Sequence, residues 1–378
     1  MSKRVLGVFA AACVAVVIAS PSASAKPHML VGLLDQGSTF YYPETAFPTL
    51  EKLRAQVVRV DLYWGGNDLA VDKKRPAHGA DPNDPAYNWE LYDRLATNAA
   101  KVNVKLLFTI WGTPKWANGG KPGRYAPKNY ADLRKFATAA AKRYSGTTVD
   151  KASGLKIPAV RLWTAWNEPN QRFQLMPQYK RVGSKTVLQS AIDYAKICTA
   201  IYTGVHSTLL KGEKVACGVT APGGNDNPSG SRGSPTPMTF MAAVKKAGLK
   251  KFDAWAHNPY GGPRDTPTTK PHARGTVTLG NIDTLIAQLT KFWGPRRVWL
   301  TEYAYQTNPP DKAFGVSFSK QALYLKQAFA IARKNPRIDM MLWFQLKDDS
   351  VLAGWQSGLM TVKGKKKPAF TAFMRLPH

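Results

Sequence analysis

Two glutamates stand where a chain could do chemistry. Glu168 ends the run Leu162-Trp-Thr-Ala-Trp-Asn-Glu, and Glu302 ends the run Val298-Trp-Leu-Thr-Glu. Each follows a short apolar stretch that reads as a buried strand. Pro169 comes directly after Glu168 and removes a ladder donor, so the chain leaves the sheet there. Two carboxylates at the ends of separate strands are what cleavage of a glycosidic bond requires. One must carry a proton to the leaving oxygen, and the other must stay ionised to attack or to activate water. A gap of about 5–5.5 Å retains the anomeric configuration, and about 6.5–9.5 Å inverts it. Taken singly, each acid reads equally well as a solvated rim carboxylate.

The elements that must position them recur along the chain. Short β-branched or apolar runs alternate with polar turns and longer helical patterns. Eight runs read as strands: 29–34, 57–62, 104–110, 159–165, 215–219, 252–256, 297–301 and 339–344. The clearest helical patterns cover 130–144, 187–210, 279–292 and 319–334. This alternation predicts an α/β fold, a closed (β/α)₈ TIM barrel whose active site gathers at the C-terminal ends of the strands. An open doubly wound sheet is the alternative, but no Gly-rich phosphate loop follows the first run. No linker marks a domain boundary, so residues 26–378 read as one barrel.

Residues 1–25 read as a secretory signal peptide. Lys3 and Arg4 precede an apolar stretch, and Ala23-Ser-Ala25 supplies a small-residue cleavage site. No later segment has the long charge-free run of a membrane span. The expected location is therefore secreted, extracellular or associated with the cell wall. Of the three cysteines, Cys13 leaves with the signal; Cys198 and Cys217 remain. An oxidising compartment permits a disulfide between them, and two buried thiols are equally compatible with the sequence. No metal-ligand spacing is present. A formal net charge of +29 implies attraction to polyanions: an anionic wall polymer, a uronic-acid glycan, acidic headgroups or, without sequence specificity, nucleic acid. Solubility alone is the plainer explanation. Among the eleven tryptophans, Trp64, Trp111, Trp116, Trp166 and Trp343 fall near strand ends, where they would either line a cleft or pack the barrel rim.

Trp-Asn-Glu-Pro at 166–169 together with Trp-Leu-Thr-Glu-Tyr at 299–303 resembles the retaining (β/α)₈ glycoside hydrolases of clan A, nearest to the β-xylosidase-like family 39 and the family 5-type group. The resemblance implies that Glu168 is the acid/base and Glu302 the nucleophile, with Asn167 bonded to the sugar 2-hydroxyl. It places Arg59, within Val57-Val-Arg-Val-Asp61, beside the nucleophile. It implies that Trp111 and Trp116 shape the cleft. From His257-Asn-Pro-Tyr260 it implies a supporting His257 and a Tyr260 touching the nucleophile, with Asn258 standing as an insertion between them. Trp343 would floor the central sugar site. The implied substrate is a polysaccharide or oligosaccharide, with charge favouring an anionic one, and no cofactor is implied. The loop at 35–48 departs from the pattern and is assigned no role. Loop 223–237, rich in Gly, Pro and Ser, reads either as a cleft wall or as a mobile loop. Three other readings compete: a non-catalytic carbohydrate-binding barrel, a transglycosylase using the same residues, and a secreted polyanion binder.

Overall fold

The computed structural model describes residues 29–150, 154–208, 210–229 and 232–378. The signal segment at 1–25 lies outside the described residues. The described residues hold ten strands: β1 (Leu30–Leu34), β2 (Val57–Tyr63), β3 (Lys105–Trp111), β4 (Leu162–Ala165), β5 (Tyr179–Val182), β6 (Lys185–Leu188), β7 (Lys214–Thr220), β8 (Ala254–His257), β9 (Arg297–Tyr303) and β10 (Ile338–Phe344). Eight of them close an all-parallel barrel in the order β1-β10-β9-β8-β7-β4-β3-β2, and β5 and β6 form a separate antiparallel hairpin. This is the (β/α)₈ architecture that the eight runs predict.

Alternation decides which side chains enter the barrel. Val57, Leu107, Ala216, Ala254, Ala256, Trp299, Met340 and Leu342 fill the interior. Their strand neighbours Val58, Val60, Phe108, Trp163, Trp255, Met341 and Trp343 face outward, into the layer between strands and helices. The helices answer with apolar stripes. In Glu90–Lys101, for example, the buried residues are Tyr92, Leu95, Ala96 and Ala99, spaced as one face of a helix.

Two irregularities break the alternation at functionally placed strand ends. Between β9 and β10 the register steps from Leu300↔Met341 to Tyr303↔Trp343, so β9 carries one extra residue at Thr301-Glu302. Between β7 and β8 it steps from Gly218↔Ala256 to Thr220↔His257, leaving Val219 as the extra residue, with φ at 46°. Each is a β-bulge, and bulges re-aim side chains. Gly218 is required beside the second one. Its φ is 92°, and a Cβ there would lie 2.4 Å from the Trp255 ring.

The helical pattern at 187–210 is corrected in part. Val187 and Leu188 belong to β6, and the helix runs Gln189–Val205, followed by a 3-10 turn at His206–Thr208. Cys198 on this helix and Cys217 on β7 form a disulfide, with their Cα atoms 6.0 Å apart. Among the described residues, no helix is long and apolar enough to cross a membrane.

Candidate active site

A cleft of about 750 Å³ opens at the C-terminal mouth of the barrel, and both Glu168 and Glu302 line it. Arg59, Asp61 and Tyr63 enter it as alternate residues of β2. Trp111 enters from the end of β3, Asn167 from beyond β4, Tyr260 from beyond β8 and Phe344 from the end of β10. The loop after β7 supplies Ala221, Pro222, Gly223 and Gly224. Its described residues form a wall that hydrogen bonds tie down. Asn170 Nδ2 donates to the carbonyls of Ala221, Gly223 and Pro235, and Asp226 accepts from Thr236 N at 2.8 Å.

Glu302 sits in a nest of donors. Arg59 Nη1 donates to its Oε1 at 2.8 Å, and the Tyr260 hydroxyl donates to its Oε2 at 3.1 Å. Arg59 is wholly buried. Its other donors go to Thr109 Oγ1, Thr301 O and Asn167 Oδ1. One guanidinium therefore fixes Glu302 and Asn167 together. A buried cation so partnered is held in one pose, and removing its acid partner would leave a bare charge.

Glu168 has a different setting. Asn258 Nδ2 donates to its Oε1 at 3.1 Å, and Asn258 Oδ1 in turn accepts from Thr301 Oγ1 at 2.8 Å. Burial, helped by the nearby charge of Glu302, raises the Glu168 carboxyl to about 7, more than Asn258 and Arg59 can offset. Its backbone is constrained as well. Glu168 has φ at 38° and Trp166 at 65°, and Glu168 N donates across to Val219 O at 2.8 Å. Left-handed backbone at non-glycine residues costs on the order of 1–3 kcal/mol each and is held only where the surroundings dictate it.

Several expected site residues lie elsewhere, and strand parity explains two of them. His257 does not reach the cleft. It continues the outward set of β8 after Trp255, is fully buried, and shares its Nδ1 with Thr220 Oγ1 and its Nε2 with Val277 O. Burial lowers it to about 4, so the ring is neutral and Nε2 donates to Val277. Trp343 does not floor the cleft. It faces outward on β10 with its Nε1 donating to Ser357 O, and the inward neighbour Phe344 lines the cleft instead. Trp116 borders a separate cavity of about 280 Å³ with Trp64, Arg75 and Lys135. Trp64 is buried and donates to Asp72 Oδ2; Trp166 is buried and donates to Gln174 O.

Sequence reasoning also passed over contributors. Asn258 is no idle insertion, since it bridges Glu168 and Thr301, and Tyr260 beyond it still reaches Glu302. Asp61 sits two residues from Arg59, a parity visible in the sequence. Trp355 and Phe173 line the cleft at its rim, 41% and 65% exposed, and offer flat apolar faces to solvent. Nothing local to their sequence marks them. Among the described residues, no group of three or more His, Cys, Asp and Glu side chains is arranged to hold a metal ion.

No protein-family profile and no curated protein matches this chain. Solved structures do. A family 39 glycoside hydrolase from the gut symbiont Bacteroides cellulosilyticus WH2 superposes with a TM-score of 0.61 at 15% identity, over 91% of this chain and 62% of that one. A glucosidase from Croceicoccus marinus gives 0.63 at 15% identity, over 92% of this chain and 66% of that one. The GH39 enzyme from Xanthomonas axonopodis pv. citri gives 0.57 at 16%, over 92% and 65%. The chain thus spans a little under two thirds of the length of each. What it shares with them is the barrel, a fold common among glycoside hydrolases.

Proposed function

We propose that this protein is a secreted retaining glycoside hydrolase acting on β-glycosidic bonds of a polysaccharide or oligosaccharide. The observation that carries the reading is the inequality of two carboxyls in one cleft. Glu302 is held by Arg59 and Tyr260, while Glu168 is half-buried, has one side-chain donor and has its carboxyl raised to about 7 by desolvation. That is the division of labour glycosidic cleavage needs. Known glycosidases built on the same barrel add support.

In the proposed reaction a carboxylate oxygen of Glu302 attacks the anomeric carbon. The bond to the leaving oxygen breaks as Glu168 delivers its proton there. Glu168, now ionised, takes a proton from water, whose oxygen attacks the same carbon and releases Glu302 with configuration retained. Asn167, oriented by Arg59, is placed to bond the sugar beside the reacting carbon. Trp111, Phe344 and Trp355 supply the apolar faces on which sugar rings stack.

The disulfide and the leader-like residues 1–25 support export to an oxidising compartment. The excess positive charge suits association with an anionic cell wall, which salt-dependent retention on a teichoic-acid or polyuronate matrix would test. The catalytic reading is tested by incubation with a 2-deoxy-2-fluoro-glycosyl fluoride and peptide mapping. A covalent adduct on Glu302 is expected. Turnover that survives Glu302→Gln at the wild-type rate would exclude the mechanism.

A further inference from the structure

The cleft has an electrostatic character opposite to that of the whole chain. Its acidic and basic side chains are Arg59, Asp61, Glu168 and Glu302: three acids, of which Glu168 holds its proton for catalysis, and one base, in a protein of formal net charge +29. The one base is already committed to Glu302, Asn167, Thr109 and Thr301. No other Lys, Arg or His lines the cleft among the described residues. An arriving carboxylate would therefore meet acids and find no free cation.

Asp61 is the acid that the proposed chemistry leaves unused. Its Oδ2 accepts from Gln36 Nε2 at 3.3 Å, and the Tyr63 hydroxyl beside it donates to Gln36 Oε1 at 3.1 Å. Its Oδ1 is buried and accepts no hydrogen bond among the described residues. On the adjacent strand Trp111 Nε1 is likewise buried without an acceptor among them, and the Tyr63 and Trp111 rings meet edge-on at 5.8 Å. One wall of the cleft thus carries an unused acceptor and an unused donor. Buried polar atoms left unpaired are costly unless something arrives to pair them.

We propose that Asp61 is a specificity-determining residue: its Oδ1 accepts a hydrogen bond from a hydroxyl of a neutral sugar at the centre of the cleft, and its charge excludes a uronic-acid unit from that position. The inference rests on the glycosidase reading and narrows it. The anionic partners that suit the basic surface then dock outside the cleft and are not the sugar being cleaved.

Paired aryl β-glycosides with one leaving group test it: glucoside against glucuronide, and galactoside against galacturonide. At pH 7, above the value of about 6 to which burial raises the Asp61 carboxyl, the wild type should favour the neutral member of a cleaved pair by about 100-fold or more in kcat/KM, since buried like charges disfavour the acid. Asp61→Asn keeps an acceptor and removes the charge, so kcat/KM on the neutral glycoside should fall by less than in Asp61→Ala while the ratio narrows by about tenfold. Asp61→Ala removes both, and should also cost about tenfold in kcat/KM on the neutral glycoside. A uronide cleaved as fast as its neutral partner, or a ratio unchanged in Asp61→Asn, overturns the proposal. The same sugars as 2-deoxy-2-fluoro-glycosyl fluorides separate the two levels of inference. Labelling of Glu302 by the uronyl reagent alone sinks the selectivity and spares the hydrolase. No labelling by any reagent sinks the hydrolase and this proposal with it.

Discussion

The ends of β4 and β9 present the same residue type to the same cleft and treat it in opposite ways. At the end of β9, a bulge turns Glu302 toward a buried guanidinium and a phenol, and donors surround the carboxylate. At the end of β4, left-handed backbone carries Glu168 into a half-buried position where a single side-chain amide meets it. Identity of side chain therefore says little about role. Desolvation and the neighbouring charge hold the proton on Glu168, while the donors around Glu302 fix the position of its carboxylate.

The comparison can be broken most forcefully at Glu302. Glu302→Gln keeps the size and removes the nucleophile, and kcat should fall on the order of 10⁴-fold or more in steady-state assays. Glu168→Ala should cost about 10²–10⁴-fold on a glycoside with a poor leaving group. The loss should be much smaller in the first step for a dinitrophenyl leaving group, which needs no proton. Equal losses on both substrates would remove the distinction between the two acids.

Arg59→Lys keeps the positive charge and loses the fork that links Glu302 to Asn167. A fall of about 10–100-fold in kcat/KM is expected. The pH dependence sharpens the contrast further. Glu168 must be protonated to act as acid, so kcat/KM should decline as pH rises through about 7. The Glu302 charge helps to raise that value, so in Glu302→Gln the Glu168 carboxyl should titrate lower, as followed by carbon NMR. An unmoved titration would mean that the two groups do not sense each other. The smallest effect concerns one side only. Val219 O, which receives the Glu168 N–H, lies on β7, and β7 is tied to its helix by Cys198–Cys217. Cys198→Ser should lower unfolding free energy by about 2–4 kcal/mol and reduce kcat a few-fold, with the Glu302 adduct still forming.

Much of this was legible in the sequence because barrel strands are buried on both faces and read as continuous apolar runs. All eight were found within a few residues, together with the two acids at their ends. The hairpin of β5 and β6 was not, because Tyr179–Leu188 is rich in exposed Lys, Arg and polar residues and only Leu188 at its end packs against the core. His257 and Trp343 stand near strand ends, where only parity along the strand tells a cleft residue from an outward one. Each belongs to the outward set of its strand. The parity of β9 was itself unreadable, since one inserted residue at its end reverses it. Trp355 escaped for another reason. It comes to the cleft on a loop far along the chain, and only the tertiary fold brings it beside Tyr260, ring centroids 5.5 Å apart.

The left-handed φ at Glu168 sets durability against catalysis. Glycine is the one residue that adopts such backbone without penalty, and it would also delete a carboxyl that burial disfavours. Selection for heat resistance alone would therefore drift toward Glu168→Gly, a sturdier and inert barrel. Any effort to harden this protein must hold that codon fixed and seek its gains elsewhere.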